Sequence, residues 1–216
     1  MKNKTLLVIG SVCFILGAFI LGVKFYKGEE AKSVAAKAET NTNIFVKDHS
    51  PKLGREGAKV VLVEFFDPEC ESCREFYPFV KMLMNQYEGE IQLVLRYAPF
   101  HPNSKFIVKI LEASRLQNRY FEALETLYQN QPQWASHHDP KPELVWGYLE
   151  AAGIDIAKVK EDMNSPEIQN IIDQDIQDGR ELGVRMTPTF FVNGKPLQNF
   201  GYDQLADMIK VEMEAK

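Results

Sequence analysis

Cys70 and Cys73 stand three residues apart in the stretch FFDPECESCREFYP, residues 65–78. Thiols at that spacing can clip a metal, staple a loop or exchange electrons. A zinc site needs two further Cys or His ligands at suitable spacing, and of the four histidines (His49, His101, His137 and His138) only the last two are adjacent. No metal site is expected. A structural disulfide would close so short a loop that it restricts the unfolded chain little. Redox chemistry has the positive physical case. Cys73, Phe76, Tyr77, Val80, Leu83 and Tyr87 recur at helical spacing, so an amphipathic helix begins at the pair. A cysteine at a helix start faces unpaired backbone N–H groups and the positive end of the helix dipole, which favour the attacking thiolate. Cys70 is therefore expected to be the exposed nucleophile. Cys73, one turn on and on the buried face, is the resolving thiol. The chemistry needs no cofactor.

The surrounding elements must hold that helix start in place. Lys59 to Phe66, KVVLVEFF, is a nearly continuous apolar run of strand formers, as expected for a strand covered on both faces. Only Glu64 interrupts its apolar end. Ile91 to Tyr97, IQLVLRY, predicts a second strand; with a helix between the two, the unit is βαβ and the pairing parallel. Residues 103–183 read as a block of helices, with Asp155 and Ser165 as N-caps and Pro166 at a first helical position. Thr189 to Val192, then Asn193-Gly194, then Lys195 to Leu197, predicts a hairpin on a tight turn. A final helix runs from Tyr202 to about Met213. His101, in APFHPNS, reads as a loop or cap residue, and His137-His138-Asp139 as a solvated loop.

The chain has 216 residues, 25 basic and 30 acidic, and no concentrated basic patch, which argues against nucleic acid as a partner. From Thr5 to Val23 it is uncharged, and a helix of that length nearly spans a hydrocarbon core. Residues 1–23 are expected to form an N-terminal membrane anchor, an uncleaved signal-anchor with its apolar run over 5–23. Cys13 is a small apolar residue within it. Residues 24–43, polar and alanine-rich, read as a linker, and 44–216 as one folded domain.

The strand VLVEFF, the C-x-x-C opening a helix, the second strand, and Met186-Thr187-Pro188-Thr189 entering a hairpin that ends in FFVNG together resemble the thioredoxin fold. The helical block over about 103–183 resembles the insertion of its DsbA-like branch. The resemblance covers the chain from about Ile44 onward. It implies an α/β fold with an inserted helical domain, and a protein thiol-disulfide oxidoreductase that forms or exchanges disulfides. It gives Glu64 the role of the family's buried acidic group, moving a proton to or from the resolving cysteine. It makes Pro188 the family's cis-proline facing the pair, with Thr187 and the adjoining backbone binding an extended substrate segment. Protein thiols or disulfides are the implied substrates, and a redox protein in the membrane the implied partner. The implied location is a bacterial cytoplasmic membrane, crossed once, with the domain facing the periplasm or cell exterior. Two other readings remain open: a membrane-tethered reductase of the cytochrome c maturation type, and a tethered binding module without redox activity.

The resemblance leaves the direction of electron flow undecided, because one fold hosts oxidants, reductants and isomerases. Glu69 and Glu71 flank Cys70, where strongly oxidising relatives carry a histidine between the cysteines. A carboxylate about 6 Å from the sulfur opposes the thiolate by roughly 0.7 kcal/mol at the dielectric of water and about 2.8 kcal/mol at an effective value of 20. These carboxylates are expected to temper Cys70, against the helix dipole and Arg74. A couple of moderate oxidising power follows.

Overall fold

The computed structural model describes residues 14–23 and 44–215. At its centre lie two seven-residue strands, β2 (Val60–Phe66) and β3 (Ile91–Tyr97), paired in parallel with Val60 opposite Ile91 and Phe66 opposite Tyr97. Both strands are buried over nearly their whole length, which is why their sequences run apolar without alternation. Helix α1 (Glu71–Gln86) makes the crossover between them. β4 (Thr189–Val192) pairs antiparallel with β2, and β5 (Lys195–Pro196) with β4. A two-residue strand, β1 (Lys52–Leu53), adds an antiparallel edge to β3, giving the order β1-β3-β2-β4-β5. That edge strand is too short to leave a periodic signal in the sequence. Asn193 and Gly194 turn the β4–β5 hairpin with φ of 48° and 78°, the left-handed pair that such tight turns need.

Between β3 and β4 the chain builds its helical block: α2 (Ser104–Arg115), α3 (Tyr120–Gln129), α4 (Gln131–Trp134), α5 (Val145–Ala151), α6 (Ile156–Asp162) and α7 (Pro166–Glu181). The expected caps are in place. Asp155 accepts from Lys158 N at 3.0 Å, and Ser165 from Ile168 N at 3.3 Å. Helix α8 (Tyr202–Glu214) closes the fold.

Strand alternation sends residues to two different cores. Val60, Leu62 and Phe66 join Cys73, Phe76, Val80, Phe190, Leu205 and Ile209 between the sheet and helices α1 and α8. Val63 and Phe65 join Val94, Phe191, Leu182, Val184, Ile44 and Phe45 on the opposite face. By the same period of two, Glu64 points with Leu62 and Phe66 toward the cysteine side.

Residues 1–13 of the expected anchor and the expected linker over 24–43 lie outside the described residues. Residues 14–23 are helical and exposed. Among the described residues no helix is long and apolar enough to cross a membrane. Of the membrane-spanning helix expected over 5–23, only residues 14–23 are described, and these rise about 15 Å, half of a hydrocarbon core.

Candidate functional site

Cys70 is the N-cap of α1, in extended conformation at φ −73° and ψ 122°, and no side chain caps the helix there. Its sulfur thus takes the place that a capping oxygen usually fills, next to the free N–H groups of the first turn. The Thr187–Pro188 peptide bond is cis, as the resemblance implied. The loop that carries it lies over the cysteine, with the Cys70 thiol donating to Thr187 O at 3.3 Å. That loop corrects the expectation of an exposed nucleophile: Cys70 is only 8% exposed. Met186, next to Thr187 in that loop, and Phe100, whose N–H is held by Asp67, are exposed apolar side chains.

Three titratable groups are driven far from their ordinary values. The Cys70 thiol is lowered from 9.0 to about 6. A hydrogen bond from the Cys73 side chain does most of this, against the opposing effect of burial; Thr187 and the backbone N–H groups of Cys73 and Ser72 help. Cys73 is fully buried and pushed well above its ordinary value, first by burial, then by the hydrogen bond to Cys70 and the charges of Glu64 and Cys70. Glu64, 1% exposed, is raised from 4.5 to about 8 by burial and then by the charge on Cys70. Its Oε2 is buried without a hydrogen-bond partner among the described residues. At neutral pH, Glu64 therefore holds a proton, Cys73 is a thiol and Cys70 is largely thiolate.

The carboxylates expected to temper Cys70 point elsewhere. Glu69 is buried and turned toward the start of α2, accepting from Asn103 N at 2.7 Å and Asn103 Nδ2 at 3.0 Å, with Ser104 Oγ 2.9 Å away. Glu71 is exposed, with Oε1 3.8 Å from His137 Nε2. Neither is among the groups that set the Cys70 thiol.

Two features of the site were not visible as such in the sequence. Asp67, fully buried, accepts from Glu69 N at 2.8 Å, Phe100 N at 2.6 Å, His101 N at 3.0 Å and the Ser104 hydroxyl, with the His101 ring at 2.9 Å. Gln131, from α4, donates to Pro68 O at 2.8 Å and Cys70 O at 3.1 Å. The turn before Cys70 is thus tied to α2 on one side and α4 on the other. An acidic residue three before the first cysteine is the only local hint of this, and all its partners except Glu69 lie more than 30 residues away.

The thioredoxin family model matches residues 46–211. A Na(+)/H(+) antiporter NhaA from Herminiimonas arsenicoxydans is 28% identical over 150 residues, 69% of this chain and 23% of the antiporter. The chain thus spans about a quarter of the length of that curated relative. A probable disulfide bond formation protein D from Bacillus cereus is 25% identical across 99% of this chain and 100% of its own length. Among solved structures, a thioredoxin-like oxidoreductase from Silicibacter pomeroyi superposes with a TM-score of 0.69 at 26% identity, covering 81% of this chain and 98% of the other. The DsbA-like resemblance holds. With its matched segment running from the start of the folded domain into the last helix, the chain belongs to the thioredoxin family.

Proposed function

We propose that the chain is a protein thiol-disulfide oxidoreductase in which Cys70 attacks and is attacked, and Cys73 resolves. The observation that carries this is the separation of the two thiols, one lowered to about 6 and the other raised well above its ordinary value. Two cysteines with such different acidities divide the labour of exchange.

In the oxidising direction a substrate thiolate attacks Cys70 Sγ and the Cys70–Cys73 bond breaks. Cys73 leaves as a thiolate and takes the proton held by Glu64. A second substrate thiolate attacks the substrate sulfur of the mixed disulfide, and Cys70 leaves with the electron pair. The substrate has gained a disulfide, and the pair has gained two electrons. Run backwards, the same steps reduce a substrate. Thr187 and the backbone beside Pro188 offer an extended segment a place to lie against Cys70, with Met186 and Phe100 as apolar contacts.

A thiol at about 6 lies between the values of about 3.5 for strong oxidants and about 7 for thioredoxin, which supports a couple of moderate oxidising power. The match to disulfide bond formation protein D along the whole chain supports disulfide formation as the net direction. We place the domain outside the cytoplasm, tethered by the apolar run over 5–23, with a membrane redox protein restoring the disulfide. Labelling of Cys70 in intact cells by a membrane-impermeant thiol reagent tests the placement, and a cytoplasmic domain would stay unlabelled.

The activity is tested by refolding a reduced, denatured protein with wild type, Cys70→Ser and Cys73→Ser. Cys70→Ser should lose the activity entirely, and Cys73→Ser should accumulate mixed disulfides. Undiminished refolding by Cys70→Ser would sink the proposal.

A further inference from the structure

Helix α1 carries more apolar surface than the core takes up. Cys73, Phe76, Val80 and Leu83 are buried in the core. Pro78 and Met82, four residues apart and so on one face of the helix, look outward, Met82 at 50% exposure, and neither belongs to the core. With Arg74, Tyr77 and Lys81 they form one wall of a groove of about 680 Å³, whose other wall is α3 through Glu125 and Tyr128. The Tyr77 and Tyr128 rings, both buried, meet between the walls at 5.5 Å from centroid to centroid. The groove faces the helical block, whereas Phe76 and Phe79 turn to Tyr202 of α8.

Both walls converge on the nucleophile. From α1, Arg74 N donates to Cys70 O at 3.2 Å. Gln131, two residues past the end of α3, donates to the same oxygen through Nε2 at 3.1 Å. The groove therefore opens one helical turn below Cys70, and it runs along α1 to Asn85, about 16 Å beyond Arg74. Its charges are uneven. Lys81 Nζ is neutralised by Glu125 Oε1 at 2.6 Å, the oxygen that also accepts from Tyr77 OH at 3.0 Å. Arg74, at the end nearest Cys70, has Glu75 at 3.6 Å, an exposed pair of little strength.

We propose that this groove is the docking surface for the polypeptide that flanks the substrate cysteine, taking an acidic residue at Arg74 and then aromatic or branched aliphatic side chains among Tyr77, Tyr128 and Met82. This rests on the thiol-disulfide reading and deepens it by naming a substrate class. A mixed disulfide with Cys70 holds the substrate cysteine at the head of the groove. An extended chain advancing about 3.3 Å per residue comes level with Arg74 about two residues from that cysteine and with Met82 after about five. The volume lies within the roughly 300–1,000 Å³ of clefts that bury a ligand. Methionine, unbranched and polarizable, suits a wall that receives different side chains from different substrates. The groove thus adds a choice of side chain to the backbone contact at Thr187.

The test follows the first exchange step with the reduced, full-length protein. Synthetic peptides carry one cysteine as its mixed disulfide with thionitrobenzoate. The Cys70 thiolate attacks the peptide sulfur, a Cys70–peptide disulfide forms, and thionitrobenzoate leaves with the electron pair and is read by its absorbance. One peptide has aspartate two residues and phenylalanine five residues from the cysteine, on either flank in turn; a second has lysine in place of aspartate; a third has serine in place of both. On one flank the aspartate–phenylalanine peptide should react about three- to tenfold faster than the serine peptide. Met82→Asp should remove the gain from phenylalanine, and Arg74→Glu should transfer the preference from aspartate to lysine. Rates with dithiobis(nitrobenzoate), which has no peptide to seat, set the baseline for each variant, so a change at Cys70 itself cancels from the ratios. Equal rates for all three peptides on both flanks, or a preference that survives both substitutions, overturns the docking surface and leaves the oxidoreductase standing. Release that does not depend on Cys70 overturns both. A wild-type dimer that Met82→Asp splits into monomers would give the groove to a second copy of the chain and overturn the proposal equally.

Discussion

Glu64 and Arg96 stand on neighbouring strands, Glu64 opposite Leu95 and Arg96 one residue further on, and both are shut away from solvent. On the cysteine side Glu64 keeps an oxygen with no partner among the described residues. On the other side every nitrogen of the Arg96 guanidinium is used. Nε donates to Asp175 at 2.8 Å, Nη2 to Asp178 at 2.5 Å, and Nη1 to Ile44 O at 2.6 Å and Phe45 O at 3.1 Å. His49 also meets Asp175 at 2.7 Å, and Lys47 meets Asp178 at 3.3 Å. One face thus spends buried charge on architecture, clamping the segment around residues 44–49 and α7 to the sheet. The other leaves a proton loosely owned. Fully matched buried charges have no reason to change state, whereas a lone carboxyl beside a thiol does.

The contrast can be broken most severely at Arg96. Arg96→Met leaves Asp175 and Asp178 buried without their main cation and should cost about 3–5 kcal/mol in urea unfolding. The Cys70 midpoint in the folded protein should stay near 6. A shifted midpoint would mean that the two faces are coupled.

Glu64→Gln should act in the opposite sense and depend on pH. Below pH 4.5 native and unfolded carboxyls are both protonated, and above about 8 both are ionised. In between, the native state holds the extra proton, so wild-type stability falls as pH rises through that interval. At about 1.4 kcal/mol per pKa unit, the glutamine variant should be more stable than wild type by roughly 3 kcal/mol at pH 7 and show little difference near pH 4. A gap that stays constant with pH would refute the raised carboxyl. The variant should also resolve mixed disulfides more slowly, which is read by trapping them with acid.

The smallest effect belongs to Ser165, whose hydroxyl caps the helix that carries Asp175 and Asp178. Ser165→Ala should lower stability by about 1 kcal/mol at every pH and leave activity alone. A larger loss would show that the clamp and its helix act as one unit.

Local pattern made some of this molecule readable in advance. Glu64 stood out because a carboxylate interrupts seven strand residues that are otherwise apolar, and the cysteines declared themselves by opening a helical stripe. Asp155 and Ser165 were legible because a cap and its target N–H lie three residues apart. Arg96 was not, since a single cation in IQLVLRY looks the same whether it faces water or two carboxylates some 80 residues away. Glu69 was misread for a related reason. Its neighbour in the chain is Cys70, but its neighbours in space are Asn103 and Ser104. His101 looked like an ordinary loop residue because the carboxylate that orients it lies 34 positions earlier.

The anchoring of the turn before the pair has a consequence for how such a site can diversify. Asp67, Glu69 and Gln131 grip the backbone at 67–70 from outside the C-x-x-C motif, while Glu71 reaches into solvent and Ser72 is only partly covered. The two residues between the cysteines are thus an interchangeable cartridge in a rigid socket. Mutational drift there can retune the potential without rebuilding the frame, so one scaffold is free to wander between oxidant and reductant over evolutionary time.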